Sequence, residues 1–527
     1  MSGVSRRAFV AAGATLGAAA VAAPALLGLT RKAGRPLAGG FADDGHAAGH
    51  ALRDGAPAPA VRRRERRGVV VVGGGAAGLS AAWWLLRRGY RDFAVLELAR
   101  EPGGNARSGE NAVSAYPWGA HYVPVPGPRA EHLRLLLAEM GVLGADGRWR
   151  ERDLAFAPKE RVHLHGRWRE GLDEAVAVSP HDRADLARLA ERAAELRAGG
   201  AFTIPLALGA PADHPLDRLT AAAWLEREGF RSPAAHWLVD YACRDDFGTA
   251  ARDASAWAAL HYFAAREAGD VADEGPLTWP EGNGRLVRWL AARAGPYLHA
   301  GAAVRRVEPA GPRAGAPMRV VAGDTEWTCD AVVWAAPTFV AAHVVAGAPA
   351  VPWRYAPWLV ANVTLARRPD PADPDRDAPE AWDNVIARSP SLGYVVATHQ
   401  HLRAQDDGRT VWTWYHAACG GDPAAERRRL AGMSWRACAD LALDDLARAH
   451  PAVRDAAERV DVMRYGHAMP RPEPGFLARH RPWWDPPRDA RVFWANSDVS
   501  GLSLFEEAQD RGVRAAERAL ALAGRGA

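Results

Sequence analysis

The 527-residue chain has few lysines and few cysteines. Lys32 and Lys159 are its only lysines, so arginine supplies nearly all of its 66 basic side chains. Its four cysteines are widely spaced and contain no C-x-x-C pair, which excludes a dense disulfide framework. His46 and His50 stand four residues apart without a third ligand nearby, so no metal site is predicted.

The formal charge of +4 is concentrated at the N-terminus. Residues 1–67 hold 11 Lys and Arg against 4 Asp and Glu, whereas the rest of the chain holds 55 against 58. The body of the chain is therefore almost neutral, and a nucleic-acid partner is not expected. An apolar fraction of 48% and this length favour a soluble protein of two or three domains.

The N-terminus carries an export pattern. Residues 5–10 read SRRAFV, which is two arginines followed by an aromatic and an aliphatic residue, and a mildly apolar stretch follows. We expect residues 1–32 to be a twin-arginine signal bound by the export machinery, and the protein to be periplasmic or otherwise extracytoplasmic. Cleavage of the leader and its retention as a membrane anchor both stay open. Residues 33–67, rich in Gly, Ala, Pro and charge, are expected to form a flexible linker.

Residues 68–97 have the pattern of a dinucleotide-binding β-α-β unit. Four valines at 69–72 predict a strand buried on both faces, and residues 73–78, GGGAAG, fit G-x-G-x-x-G. A helix is predicted over 79–88 and a second strand over 93–96, which ends at an acid. The spacing predicts a bound dinucleotide but does not by itself separate FAD from NAD.

Each motif residue has a physical task. Gly73 permits the tight turn, Gly75 lets the backbone approach a pyrophosphate, and Gly78 lets the helix pack closely on the strand. Glu97 stands where its carboxylate accepts the ribose hydroxyls and would repel a 2′-phosphate. The helix N-terminus directs amide N–H groups at the phosphates. The residues predicted to hold the dinucleotide are Gly73, Gly75, Ala76, Ala77, Gly78 and Glu97.

Residues 103–107, GGNAR, follow the acid closely. This stretch resembles the Gly-Gly-x-x-Arg motif of the flavin amine oxidase superfamily, which includes monoamine and polyamine oxidases, protoporphyrinogen oxidase and phytoene desaturases. The resemblance implies that FAD is the cofactor. It also implies that Gly103 and Gly104 wrap the phosphates and that Arg107 sits beside them near the flavin, where a guanidinium can bridge pyrophosphate oxygens.

Five further segments resemble the superfamily in the expected order: 118–122, 279–286, 304–307, 329–337 and 491–512. In the family the first runs beside the isoalloxazine ring. The last supplies an acid for the ribityl chain and a helix whose N-terminus faces the flavin pyrimidine. The additional cofactor-binding residues that the resemblance implies are Gly119, Ala120, His121, Val304 and Asp498.

The separation of these motifs predicts the architecture. We expect an α/β fold with a discontinuous Rossmann-type FAD-binding domain and an inserted α+β substrate domain. The FAD-binding domain is expected at 68–130, 280–345 and 485–527. The substrate domain is expected at 131–279 and 346–484.

The chemistry implied is hydride transfer from a small-molecule substrate to flavin N5, which requires a substrate C–H bond held over the ring. The family usually presents a lysine near N5 on the strand predicted at 358–364, where Asn362 stands instead. Amine oxidases also frame the amine with two aromatic rings. Tyr465 or His467 is a candidate for one wall. Candidates for the other wall are Trp412, Trp414, Tyr415 and His416.

Three functions stay open at this stage. The first is an oxidoreductase acting on the C–N bond of an amine or amino acid. The second is a desaturase or related redox enzyme for an apolar isoprenoid-like substrate, which the missing lysine favours. The third is a non-oxidising role, as a flavin isomerase or an FAD-binding assembly factor. A closed aromatic cage would favour the first, a broad apolar tunnel the second, and a filled cavity the third.

Overall fold

The computed structural model describes most of the chain: residues 36–42, 45–57, 59–266, 275–313, 315–369, 377–402, 407–484, 487 and 490–524. The predicted signal at 1–32 lies outside these residues. None of the helices within the described ranges is both long enough and apolar enough to cross a membrane. Contacts group residues 39–527 into one unit, and the predicted domain boundaries inside it stay predictions.

The strands, in chain order, have the following bounds: β1 Ala38–Phe41, β2 Arg63–Val72, β3 Phe93–Leu96, β4 Ser108–Glu110, β5 Ala115–Pro117, β6 Tyr122–Val123, β7 Glu160–Leu164, β8 Arg167–Glu170, β9 Leu277–Thr278, β10 Leu298–His299, β11 Val304–Pro309, β12 Met318–Ala322, β13 Thr325–Trp334, β14 Tyr355–Leu365, β15 Asp383–Ile386, β16 Gly393–Val396, β17 Thr410–Ala417, β18 Ala457–Pro470 and β19 Val492–Trp494.

The α-helices have the following bounds: α1 His46–Arg53, α2 Ala76–Arg87, α3 Glu131–Glu139, α4 Asp173–Val176, α5 Pro180–Ala198, α6 Ala221–Arg227, α7 Pro233–Phe247, α8 Ala256–Ala264, α9 Gly284–Ala294, α10 Thr338–Val344, α11 Pro423–Gly432, α12 Trp435–Leu446, α13 Val453–Ala456, α14 Phe476–His480 and α15 Phe505–Ala523. Short 3₁₀ turns lie at Gly104–Ala106, Glu151–Asp153, Leu206–Leu208, Pro215–Arg218, Gly295–Tyr297, Ala397–Gln400, Arg481–Trp483 and Ser497–Ser500.

The first large sheet carries the dinucleotide motif and has the order β10-β3-β2-β13-β12-β11, with β19 beside β13. β2 runs parallel to both β3 and β13. Its valines alternate between two cores: Val69 and Val71 pack with α2 and α15, whereas Val70 and Val72 pack on the opposite face with α10. The continuous valine run is thus buried on both faces, as a central parallel strand requires.

The second large sheet has the order β1-β18-β14-β17-β16-β15-β7-β8. Its long strand β14 is buried along all eleven residues and pairs antiparallel with both β17 and β18. This sheet therefore also has two covered faces. A helical layer, α5 to α8, forms a separate apolar core nearby. Helix α5 begins at a capping box between Ser179 and Asp182, with Pro180 at its first position, which fixes its start.

The stretch expected to be a flexible linker, 33–67, contains regular structure in its described part. β2 begins at Arg63, well before the valines, and pairs with the N-terminal half of β13. The guanidinium of Arg63 lies 2.8 Å from the Asp324 carboxylate, and that of Arg66 lies 3.1 Å from Asp330. The run of arginines is therefore the exposed end of a strand with acidic neighbours. Composition alone did not predict this, because the partner carboxylates lie some 260 residues away.

Candidate active site

The turn after β2 contains two kinds of glycine: those that the fold itself requires, and one that has free space beside its Cα. Gly73 has φ +103°, and a Cβ on it would lie 2.7 Å from the Ala336 amide nitrogen. A Cβ on Gly78 would overlap the carbonyl oxygen of Gly73. Gly75, by contrast, has φ −81°, and a Cβ there would meet only Gly104, at 3.7 Å from its Cα and 4.0 Å from its amide nitrogen. The first two positions thus require glycine for the fold, and Gly75 leaves room for a ligand.

The N-terminus of α2 is available to an anion. Gly75 is the N-cap, and no side chain of the described residues caps this end. The amide groups of Ala76 and Ala77 belong to the first turn, whose N–H groups lack partners within the helix. Helix α15 packs against this turn so closely that a Cβ on Gly512 would overlap the Ala77 carbonyl. The turn is therefore held in place by α15, and its unpaired N–H groups have the polarity that binds phosphate.

Glu97 is tied to the same loop. One of its carboxylate oxygens accepts a hydrogen bond from the Gly74 amide at 2.5 Å, and the other accepts one from the Ala99 amide at 2.7 Å. These bonds fix the acid at the end of β3. The remaining lone pairs of the carboxylate can accept the hydroxyls of a ribose.

The second glycine pair, Gly103 and Gly104, lies against the first motif. Gly103 forms a bridge with Gly75 and has φ +129°, while Gly104 has φ +56°. A Cβ on Gly104 would lie 3.3 Å from the Gly75 Cα. The two loops thus form a cradle of bare backbone, which fits a pyrophosphate. The aliphatic base of the Arg107 side chain lies beside this cradle, since a Cβ on Gly103 would lie 2.8 Å from the Arg107 Cγ.

Residues 118–122, predicted to run beside the flavin, are held from two sides. The Ala120 amide donates to the Asn105 carbonyl at 3.0 Å. Asn283 donates from its backbone to the Ala120 carbonyl at 3.1 Å and from its side chain to the Tyr122 carbonyl at 2.9 Å. Asn283 belongs to the predicted re-entry segment 279–286, so two distant sequence motifs meet here.

Two tyrosine hydroxyls converge on this segment. Tyr415 of β17 donates to the Gly119 carbonyl at 2.9 Å, and Tyr465 of β18 donates to the Trp118 carbonyl at 3.0 Å. The two strands flank β14, and the two tyrosines pair with β14 positions two residues apart. Both rings therefore lie on the same face of the sheet.

His121 extends this aromatic surface. Its ring stacks on that of Tyr415, with centroids 4.7 Å apart and planes 29° apart. Burial lowers the pKa of His121 to about 4, and a backbone interaction with Gly119 partly opposes the shift. His121 is consequently neutral near pH 7.

The other candidates for the walls of the pocket make different contacts. The ring of His467 stacks on that of Phe339, with centroids 4.0 Å apart, and lies edge-on to Tyr355 at 5.5 Å. Trp414 lies on the opposite face of β17, where its indole donates to the Asp445 carboxylate at 2.9 Å. Trp412 stacks on Tyr394 and His416 on Trp414, so these rings form the core on that side.

Asn362, predicted in place of the family lysine, is fully buried on β14. Its side-chain amide donates to the Pro117 carbonyl at 3.1 Å, and its carbonyl oxygen accepts from the Thr413 hydroxyl at 2.7 Å. Asn362 therefore holds the backbone just before residues 118–122. The nitrogen and the oxygen of the Asn362 side chain thus position other parts of the chain.

Asp498, which the resemblance assigns to the ribityl chain of FAD, is held by residues from two distant elements. One of its oxygens accepts hydrogen bonds from the Thr338 amide at 2.9 Å, the Thr338 hydroxyl at 3.0 Å and the Tyr355 hydroxyl at 2.8 Å. Burial raises the pKa of Asp498, and these donors oppose the shift. Sequence analysis missed both donors, because only the fold brings α10 and β14 to this acid. Val304 lies buried at the start of β11, in the first sheet.

Residues 76–520 match the family of flavin containing amine oxidoreductases. The chain belongs to this family. It is therefore an FAD-dependent oxidoreductase, and the glycine cradle, the α2 N-terminus and Glu97 fit the dinucleotide portion of FAD. The superfamily resemblance, the fold class and the cofactor predicted from the sequence are confirmed. The assignment of individual residues to FAD stays a prediction.

Solved structures share the fold of this flavin oxidoreductase. Wild-type putrescine oxidase bound to putrescine is 18% identical, with a TM-score of 0.62 over 87% of this chain and 100% of that one. Cyclohexylamine oxidase from Brevibacterium oxydans IH-35A is 15% identical, with a TM-score of 0.63 over 87% and 99%. A fatty acid isomerase from P. acnes is 15% identical, with a TM-score of 0.60 over 85% and 97%. No curated protein matches the chain in sequence.

Proposed function

We propose that this enzyme oxidises an amine at the carbon that bears the nitrogen. The observation that carries the proposal is the convergence of Tyr415 and Tyr465 on residues 118 and 119. Two rings, one from each of the strands that flank β14, contact the segment that runs beside the flavin in the family. Such a pair is the feature expected of an amine pocket and not of a tunnel for a long apolar chain.

The proposed reaction is a two-electron oxidation. Bound FAD supplies a hydride acceptor at N5. The substrate carbon loses the hydride and the substrate nitrogen loses a proton, which gives an imine that water hydrolyses to a carbonyl compound and an amine or ammonia. An external electron acceptor, such as oxygen, takes up the two electrons and completes the cycle.

The role of the chain is to bind and orient the neutral amine. A neutral nitrogen has a lone pair that can stabilise the carbon from which the hydride leaves, whereas an ammonium has none. His121 is uncharged near pH 7, and burial raises the pKa of the Tyr415 hydroxyl well above its ordinary value. The aromatic wall is therefore uncharged, and it excludes the water that would stabilise an ammonium ion.

A desaturase remains the second candidate, and the observation that favours it is Asn362. Because the polar atoms of Asn362 bind Pro117 and Thr413, this side chain does not reproduce a lysine that reaches the flavin through water. An enzyme that passes electrons to an acceptor other than oxygen has less need of that lysine. An amine dehydrogenase could also lack this lysine. The absence of the lysine therefore does not outweigh the tyrosine pair, which favours amine oxidation.

The test is anaerobic reduction of the purified holoenzyme, followed through the flavin absorbance near 450 nm while amines and then polyenes are added. Bleaching by an amine supports the proposal. Bleaching by a polyene alone would overturn it in favour of the desaturase. The Tyr415→Ala variant serves as a control for the site, since it should retain flavin but be bleached more slowly by the amine.

A further inference from the structure

A segment near the N-terminus connects the two large sheets. The amide of Ala42 donates to the Val462 carbonyl at 2.9 Å, and the guanidinium carbon of Arg464 lies 3.7 Å from the centre of the Phe41 ring. These contacts place residues 39–42 along β18 of the second sheet. The helix that follows, α1, makes its contacts with elements of the first sheet instead.

The chain on both sides of α1 is attached at the end of β3. A Cβ on Gly45, the N-cap of α1, would lie 3.2 Å from the side chain of Leu98, which follows Glu97. Beyond the helix, the Arg305 guanidinium donates to the Ala56 carbonyl at 3.3 Å. The backbone three residues before Arg305 donates to the Glu97 carbonyl at 2.7 Å. Both attachments therefore lie beside the acid predicted to bind the ribose.

A third contact lies on the other side of the glycine turn. Helix α1 contacts α10, which begins at Thr338 just after β13. Strands β3 and β13 are the two neighbours of β2 in the first sheet. Helix α1 therefore extends from the carboxyl end of β3 to that of β13, across the end of β2 where Gly73 begins the dinucleotide turn. Ligands of open parallel sheets bind in the crevice at this edge.

One face of α1 is turned towards this crevice. Helical spacing puts four half-buried residues on the same side as the Gly45 contact, and we call them the inward face: Gly45, Ala48, Gly49 and Leu52. Ala47, on the other side of the helix, is exposed. A Cβ on Gly49 would meet no described atom within 4 Å. The inward face therefore has room beside Gly49, one turn after the contact at Gly45.

The composition of the inward face suits the adenosine of FAD. Its residues are small or apolar and carry no charge, so a flat purine can approach the helix closely. The glycine cradle fits the pyrophosphate, and Glu97 fits the ribose hydroxyls. Since α1 is attached beside Glu97, the part of the cofactor nearest to this helix is the adenosine.

We propose that the inward face of α1 forms the outer wall of the adenosine site and retains FAD in the protein. The helix and the glycine turn then enclose the adenosine from opposite sides. FAD leaves the protein only when α1 separates from Leu98, Arg305 and α10. The inference rests on the FAD assignment and is independent of the substrate that the enzyme oxidises.

The first test follows amide hydrogen exchange in the unmodified chain, with and without FAD. We expect the amides of α1 to exchange at least about tenfold more slowly in the FAD-bound protein, because the cofactor restrains the helix. Helix α5 packs in the separate helical core and is the internal control, so its exchange should change little. No slowing in α1, or equal slowing in both helices, would overturn the inference.

The second test fills the space beside Gly49. Gly49→Leu should fold, because no described atom lies near the new Cβ and leucine favours a helix more than glycine does. In the complete chain we expect this variant to bind FAD at least about tenfold more weakly, measured by titrating the apoprotein and following flavin fluorescence. Ala47→Leu adds the same side chain to the exposed side of α1 and should bind FAD as the unmodified chain does.

ADP identifies the part of the cofactor that the helix contacts. It contains the adenosine and both phosphates but no flavin, and it competes with FAD for the apoprotein. Gly49→Leu should weaken the binding of ADP by the same factor as that of FAD. A loss confined to FAD would overturn the adenosine assignment, and unchanged binding of both would overturn the role of α1. A lower melting temperature of the Gly49→Leu apoprotein would show that the leucine meets protein, which contradicts the inference as well.

Discussion

The amide of Gly103 donates a 2.7 Å hydrogen bond to the carbonyl oxygen of Gly74. This bond joins the two glycine motifs, which are separated in sequence by β3 and α2, into one cradle. This bond and the Gly74 contact with Glu97 therefore hold the two loops together.

The first prediction distinguishes glycines needed for FAD from glycines needed for the fold. Gly75→Val should fold, because its backbone angles suit any residue and only Gly104 lies near its Cβ. We expect its flavin absorbance per protein to fall at least about tenfold, because the side chain would occupy the pyrophosphate position. Gly78→Val should instead lower the melting temperature of the apoprotein, because its Cβ overlaps Gly73. Full flavin content in the Gly75 variant would rule out the assigned phosphate site.

The second prediction concerns the acid at the end of β3. Both oxygens of Glu97 accept backbone N–H groups, so Glu97→Gln would turn an NH₂ group towards one of those donors. We expect FAD to bind about tenfold to a hundredfold more weakly, measured by titrating the apoprotein with FAD and following flavin fluorescence. Glu101→Gln, four residues further along and exposed, is the matched control and should bind FAD as the unmodified chain does.

The third prediction tests the tyrosine pair. Tyr415→Phe keeps the ring but loses the hydrogen bond to the Gly119 carbonyl. We expect kcat/KM for an amine to fall about threefold to tenfold with flavin content unchanged, because the residues beside the flavin become less firmly held. Tyr297→Phe, which changes a ring stacked on Phe93 in the cofactor sheet, should have no effect on kcat/KM. Equal effects of the two changes would show that Tyr415 has no special role.

The cofactor half of the site could be predicted from sequence because its signals are local. A strand, a glycine turn, a helix and an acid follow one another within 30 residues, and each has a distinct residue pattern. The substrate half gave no such signal. Residues 410–417 of β17 are buried on both faces, so alternation of polarity does not reveal whether Trp414 or Tyr415 faces the flavin segment. Only the pairing register with β14 assigns Tyr415 to that face.

The donors to Asp498 were missed for a related reason. Thr338 and Tyr355 are ordinary polar residues in sequence, more than 140 positions away from the acid. Only the fold brings α10 and β14 together, so that both hydroxyls donate to one oxygen of the Asp498 carboxylate.

The fourth prediction concerns export, which rests on the sequence alone. We propose that residues 1–32 direct the folded, FAD-loaded chain through the twin-arginine pathway. Replacing Arg6 and Arg7 by lysine together should keep the protein in the cytoplasm while leaving its flavin content intact. Cell fractionation followed by immunoblotting measures this directly. Export that continues with both lysines present would contradict the proposal.

The last prediction concerns stability and pH. His450 is 3% exposed, and the Tyr394 hydroxyl lies 2.8 Å from its Nε2 while accepting a bond from Arg161 at 3.3 Å. Burial, reinforced by the positive charge of Arg161, lowers the pKa of His450 to about 3. The folded chain therefore keeps this ring neutral, whereas the unfolded chain protonates it below about pH 6.5. Stability from this site is fully present above that pH and is lost as the pH falls towards 3.

Between pH 7 and pH 5 this single histidine should lower the free energy of unfolding by about 2 kcal/mol. His450→Gln removes the titrating group, so its unfolding free energy should fall by about 2 kcal/mol less over the same interval, even though the variant is less stable at pH 7. Denaturant unfolding of both proteins at the two pH values gives the difference, in which the contributions of the other histidines cancel. The exposed His343→Gln should retain the full pH dependence. A parallel pH dependence for the His450 variant and the unmodified chain would show that His450 is protonated in the folded state.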